Sequence, residues 1–179
     1  MRKIIPVLTL LAILLAGCAQ TLEHAIWSSP SGTAGYIPPG SAESVLERKL
    51  ELLQAHIERV LGVSIHFAFM QDDEHATSEF GTSYLEQRHI IIGAQLGTQA
   101  RIEVMLHEAA HIIMPEWLTY SEAEMFADAV SLDVCRRFGI DTKATTAQYL
   151  AKHKHATYIL QAYANEIAWA AAVLSGVVE

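Results

Sequence analysis

Arg101-Ile-Glu-Val-Met-Leu-His-Glu-Ala-Ala-His-Ile-Ile-Met114 is the stretch around which the rest of this 179-residue chain is organised. Ile102, Val104, Met105, Leu106, Ala109, Ala110, Ile112 and Ile113 make it apolar almost all round at helical spacing, which predicts a helix inside a domain. Residues four apart on a helix stand about 6 Å apart along one face, so His107 and His111 can turn their imidazoles toward one point. Two neutral imidazoles are good ligands for zinc, which takes a further protein ligand and leaves a position for water in a catalytic site. Glu108 follows the first histidine directly, where its carboxylate can reach such a water and take its proton. Polar groups set in so apolar a helix need partners, because burying them without partners is costly.

Working outward, the start of the chain has a different character. Arg2 and Lys3 precede an apolar segment, Ile4 to Ala16, which is shorter than the roughly 20 residues of a membrane-spanning helix and reads as a signal peptide. Leu15-Ala16-Gly17-Cys18 resembles a bacterial lipobox, in which the chain is cut before the cysteine and Cys18 carries lipid. Ala19 is not the aspartate that resembles an inner-membrane retention signal, so an outer membrane, periplasm-facing location is expected in a Gram-negative host. With Cys18 lipidated, Cys135 stands alone and no intrachain disulfide is expected; its apolar helical setting makes it a small core residue. The net charge of −8, more acidic still once Arg2 and Lys3 are removed, argues against nucleic acid as a partner.

Residues 18–40 hold Ser28-Ser29-Pro30-Ser31-Gly32, Gly35 and Pro38-Pro39-Gly40, the composition of a flexible tether. A single domain is expected over 41–179. It opens near Ser41 to Ser44, with Ser44 and Glu47 spaced for a capping box. Leu46, Leu50, Leu53, Ile57 and Leu61 then repeat at helical spacing, and Gly62 ends the helix. Val63, Ile65, Phe67 and Phe69 alternate as in a half-buried strand. Asp72-Asp73-Glu74-His75 reads as a solvated acidic turn, and Phe80 to Leu85 with Arg88 to Ile92 as a hairpin. The central helix is expected to cap at Thr98 and to stop at Met114, because the residue before Pro115 disfavours helical backbone.

A second helix, from Thr119 to Cys135, supplies the remaining ligand candidates: Glu122, Glu124 and Asp128. Glu124 and Asp128 share a face at i, i+4, beside the apolar stripe Ala123, Phe126, Ala127, Val130 and Val134. Glu122 lines up with Asp133 and Arg136, more like a solvent edge, and is spaced as the capping-box partner of Thr119. Ser121 and Glu124 have the same spacing, so Glu124 is favoured and Glu122 is not excluded. Arg136, Arg137 and Gly139 close this helix.

The combination His107-Glu108-x-x-His111 and Glu124-Met-Phe-Ala-Asp128 resembles the gluzincin zinc metallopeptidases, whose second motif is Glu-x-x-x-Asp on the next helix; the Glu-x-x-Ala-Asp form is similar to that of HtpX-type peptidases. The resemblance implies Zn2+ held by His107, His111 and Glu124, Glu108 as general base, and Asp128 as the acceptor behind a ligand histidine. A rival alignment with ImmA/IrrE-like zincins matches Glu122 to Ala127 and moves the ligand to Glu122. The likeness covers about residues 41–138 and implies a compact, mostly helical, zincin-like α+β domain, with a small sheet of about three strands before the active-site helix.

On this reading the chain is a lipid-anchored zinc metallopeptidase of the bacterial envelope. Its partners are a peptide or protein substrate, expected along the hairpin strand near Arg88 to Ile92, and the membrane through Cys18. The alternative is an inactive zincin-fold lipoprotein serving as a binding or assembly module. From Thr145 to Gly176 the sequence reads as one long helix, or two with a bend near His153 to Ala156, striped by Ile159, Tyr163, Ile167, Ala170 and Leu174 and packed behind the site. His153, His155 and Tyr158 fall where an oxyanion-stabilising group could come from, and none is singled out.

Overall fold

The architecture follows from which apolar stripes find one another, as seen in a computed structural model that describes residues 40–69, 81–84, 88–152 and 156–176. The expected signal peptide (1–17), Cys18, the tether to residue 39, the acidic turn at 72–75, His153 and His155 lie outside the described residues.

Helix α1 spans Ala42–Leu61 and buries Leu50, Leu53, Ile57 and Leu61. Its cap is Ser41, whose Oγ accepts from the Ser44 N–H at 3.2 Å, rather than the expected Ser44–Glu47 box. The helix starts three residues earlier, which leaves the Glu47 carboxylate free to reach across to Thr98. Gly62 closes α1 at φ 62°, a conformation that favours glycine, and the Arg88 guanidinium donates to the Leu61 and Gly62 carbonyls left over at the helix end.

Three short strands follow: β1 (Ser64–Ala68), β2 (Gly81–Tyr84) and β3 (His89–Gly93). The expected hairpin forms, with β2 antiparallel to β3, while β1 adds to the other side of β3 in parallel. The order is β1-β3-β2, so β3 is the central strand. This corrects the expected substrate edge near Arg88 to Ile92: the backbone of β3 is paired on both sides, and the edges belong to β1 and β2. The strand expected to reach Phe69 stops at Ala68, leaving Phe69 79% exposed. Ile65, Ile90 and Ile92 face the core from one side of the sheet, and Gly81 and Ser83 share that side by register.

Helix α2 (Thr98–Ile113) carries the histidine pair, and Ile102, Met105, Leu106, Ala109 and Ala110 are fully buried. Its N-cap is Gly97, not Thr98, and no side chain caps it. The Thr98 hydroxyl is instead shared with Glu43 and with Glu47, at 2.7 Å from the latter. The two carboxylates stand at the positive end of α2, where negative charge is favoured. Met114 takes extended backbone before Pro115 and ends the helix as expected.

Helix α3 (Tyr120–Arg137) packs along α2, and Ser131 Oγ donates to the Glu103 carbonyl at 2.9 Å across the contact. Cys135 is a buried free thiol within the core, and burial pushes its pKa up. Among the described residues the C-terminal stretch forms α4 (Lys143–Lys152), α5 (Ala156–Ala162) and α6 (Ala164–Ser175), and residues 153–155, where a bend is expected, lie outside the described residues. Tyr163 leaves helical geometry between the last two. α6 buries Ile167, Ala170 and Leu174 against α3 and α1, and Trp169 remains 57% exposed. The result is a compact, mostly helical α+β domain with a small mixed sheet against α2. No described helix is long and apolar enough to cross a membrane.

Candidate metal centre

The facing sides of α2 and α3 build the site. On α2, His107 and His111 stand one above the other, with ring centroids 4.7 Å apart and their Nε2 atoms 3.0 Å apart. Glu124, in the second turn of α3, places Oε2 3.6 Å from His107 Nε2 and Oε1 3.4 Å from His111 Nε2. One turn further along α3, Asp128 Oδ1 lies 2.8 Å from His107 Nδ1. The three side chains of the cluster are 15 to 24% exposed: largely enclosed, yet open on one side.

These spacings bear on whether a metal would fit. Four ligands at zinc distances of about 2.0–2.1 Å in a tetrahedron are about 3.3 Å from one another. The separations of 3.0, 3.4 and 3.6 Å bracket that edge length. Two imidazoles and one carboxylate are also a donor set that zinc accepts. Among the described residues, this is the group of three or more His, Cys, Asp or Glu side chains whose donor atoms come close enough to hold one ion.

Electrostatics tie the cluster together. Burial pulls the His107 pKa down, but the contacts with Asp128 and Glu124 and the nearby Asp128 and Glu108 charges outweigh it, raising the value to about 9. Glu124 is held well below the usual carboxylate range by its contacts with His107 and then His111, against a smaller upward push from burial. With Asp128 accepting from Nδ1–H, a neutral His107 presents a lone pair at Nε2, the atom that faces Glu124 and His111.

Glu108 is 8% exposed and leaves α2 about 100° round from His107, on the side of the sheet. There β2 approaches closely. A Cβ added to Gly81 would stand 2.5 Å from Val104 Cγ1 and 3.4 Å from Glu108 Cγ, so a larger residue would push the strand away from α2. A glycine inside a β-prone run is the sequence signal for such an approach.

Glu122 lies elsewhere. Its Oε2 accepts from the Thr119 N–H at 3.0 Å and the Thr119 hydroxyl at 2.7 Å, while the Glu122 N–H donates back to Thr119 Oγ1. This is a complete capping box at the start of α3. The other carboxylate oxygen accepts from the Tyr163 hydroxyl at 3.3 Å, a link that nothing in the local sequence announces. Hydrogen bonds from the Thr119 backbone and side chain lower the Glu122 pKa. Tyr158 is 62% exposed on α5. Comparison of the chain with protein-family models, with curated proteins and with solved structures found no match.

Proposed function

We propose that this protein is a zinc-dependent peptidase, carried on the bacterial envelope by lipid at Cys18, in which His107, His111 and Glu124 hold the metal and Glu108 acts as general base. The observation that carries the reading is the spacing of the three donor groups, 3.0 to 3.6 Å, with a carboxylate behind one of the histidines. A zinc ion there would polarise a carbonyl and lower the pKa of water toward neutrality. Glu108 would supply the carboxylate that takes a proton from the attacking water and delivers it to the leaving amine. Asp128 orients the His107 ring through Nδ1. The edge strand beside Glu108 is β2, so an extended substrate would pair there rather than along β3.

Glu108→Gln is the test. The variant is expected to keep stoichiometric zinc by elemental analysis while peptide hydrolysis falls by roughly 100- to 10,000-fold, the range contributed by a positioned acid–base group. Zinc retention with undiminished cleavage would overturn the mechanism. Zinc binding in wild-type protein that cleaves no peptide would point to a binding module instead.

A further inference from the structure

We infer that Trp117 and Tyr120 form an aromatic lip on the metal site that selects peptides with a large apolar side chain and without acidic residues; this rests on the peptidase reading above and specifies its substrates. The turn between α2 and α3 is built to hold these rings outward. Leu118 N–H donates to the Pro115 carbonyl at 3.3 Å, and Met114 and Leu118 pack on the core at either side, so Glu116 and Trp117 are left at the exposed tip. Trp117 is 73% exposed. Tyr120 follows as the first residue of α3 and is 82% exposed.

Tyr120, Glu124 and Asp128 are spaced i, i+4, i+8, so the tyrosine stands one turn from Glu124 on the face that carries the cluster. α2 and α3 run past each other with His107 beside Asp128 and His111 beside Glu124, which puts Tyr120 just beyond the His111 end of the site. Neither ring makes a hydrogen bond, ion pair or ring contact with another described residue. Two large exposed aromatic groups, Tyr120 one helical turn from Glu124 and Trp117 three residues before it on a short anchored turn, are rigid contact area of the kind that anchors a binding partner.

Charge decides between a peptide and a bilayer as the occupant. The lip is acidic, with exposed Glu116 next to Trp117 in the turn and Glu122 at the neighbouring helix end, and the chain as a whole carries −8. Anionic headgroups would be repelled, as would acidic peptides, whereas a neutral or cationic peptide would not.

The experiment uses full-length, zinc-loaded Glu108→Gln protein and fluorescein-labelled octapeptides of Lys, Gly and Ala that carry one central Phe, Leu, Ala or Asp, with binding read by anisotropy. The Phe and Leu peptides are expected to bind about tenfold tighter than the Ala peptide, which is about 1.4 kcal/mol. Trp117→Ala and Tyr120→Ala should each cut that ratio severalfold, and the double variant should bring it near one. Trp117→Ala lies outside the helix, so it remains informative should Tyr120→Ala disturb α3. Trp169→Ala, an exposed tryptophan on α6, should leave the ratio unchanged. A preference that survives both lip substitutions, or no preference at all, would overturn the assignment. So would binding to phosphatidylethanolamine–phosphatidylglycerol vesicles that falls with Trp117→Ala while peptide binding stays the same. A wild-type protein that cleaves nothing yet shows the lip-dependent preference would instead sink the peptidase reading and leave the lip standing.

Discussion

Glu122 and Glu124 leave α3 about 200° apart, and their surroundings diverge accordingly. Glu122 is at the solvent edge, bound to Thr119 and Tyr163, closing the helix start and tying it to the C-terminal segment. Glu124 faces α2 and sits between two imidazoles. Both carboxylates are pushed toward ionisation, Glu122 by the Thr119 N–H and hydroxyl and Glu124 by the histidines. The same residue type, two positions apart, thus serves helix capping on one side of α3 and a candidate metal site on the other. An acidic residue near a motif is therefore a poor guide to a ligand until the helix phase is known.

Metal affinity should separate the two carboxylates most strongly. Glu124→Ala is expected to weaken zinc binding by more than the 10- to 100-fold that loss of a ligand's hydrogen-bond partner costs, measured by competition with a chromophoric chelator. Glu122→Ala should leave the affinity within about twofold, since the capping interaction it removes is local to the helix start. The reverse pattern would transfer the ligand role to Glu122.

Next in size is a pH effect confined to the Glu124 side. In metal-free protein the His107 pKa is raised from 6.5 to about 9, so protonated His107 stabilises the fold. That contribution is complete below about pH 6.5 and is lost as pH rises through about 9; it amounts to at most about 3.4 kcal/mol. Thermal melts of chelator-treated protein from pH 6 to 9.5 should show the decline, and Asp128→Asn and then Glu124→Gln should each reduce it. A melting temperature that rises over this interval would contradict the assignment.

Asp128→Asn removes the charge behind His107 while keeping its shape. A 10- to 100-fold loss of zinc affinity is expected, placing it below Glu124→Ala and above Glu122→Ala in the same titration. The smallest effect belongs to the cap. Thr119→Ala should cost about 1 kcal/mol of stability, the usual cost of removing an N-cap side chain, with zinc content unchanged. Loss of zinc in this variant would mean that the first turn positions Glu124 more strongly than the geometry implies.

The elements that rest on contacts close along the chain were readable in advance. The Leu50–Leu53–Ile57–Leu61 stripe, the helix stop before Pro115, the β2–β3 hairpin and the Thr119–Glu122 box all depend on spacings of a few residues. Structure departs from local expectation where a distant group intervenes. Thr98 was expected to cap its own helix, but carboxylates from α1, more than 50 residues away, take its hydroxyl. The local sequence leaves β3 a free edge, and β1 covers it in parallel, a pairing that no local turn encodes. The C-terminal break at Tyr163 accompanies a hydrogen bond to Glu122 on another helix.

The candidate site divides the same way. Helical periodicity puts His107 beside His111 and Glu124 beside Asp128 without reference to anything else in the chain, because 3.6 residues per turn stacks every fourth side chain. That periodicity also favours Glu124 as the residue facing the histidines, but Thr119/Glu122 and Ser121/Glu124 offer the same capping spacing, so it does not exclude Glu122. The choice came from packing. α3 buries Ala123, Phe126, Ala127 and Val130, and that phase turns Glu124 and Asp128 toward α2 and Glu122 toward solvent. Local spacing is set by bond geometry along one helix, whereas the facing of two helices is set by the apolar area they remove from water together.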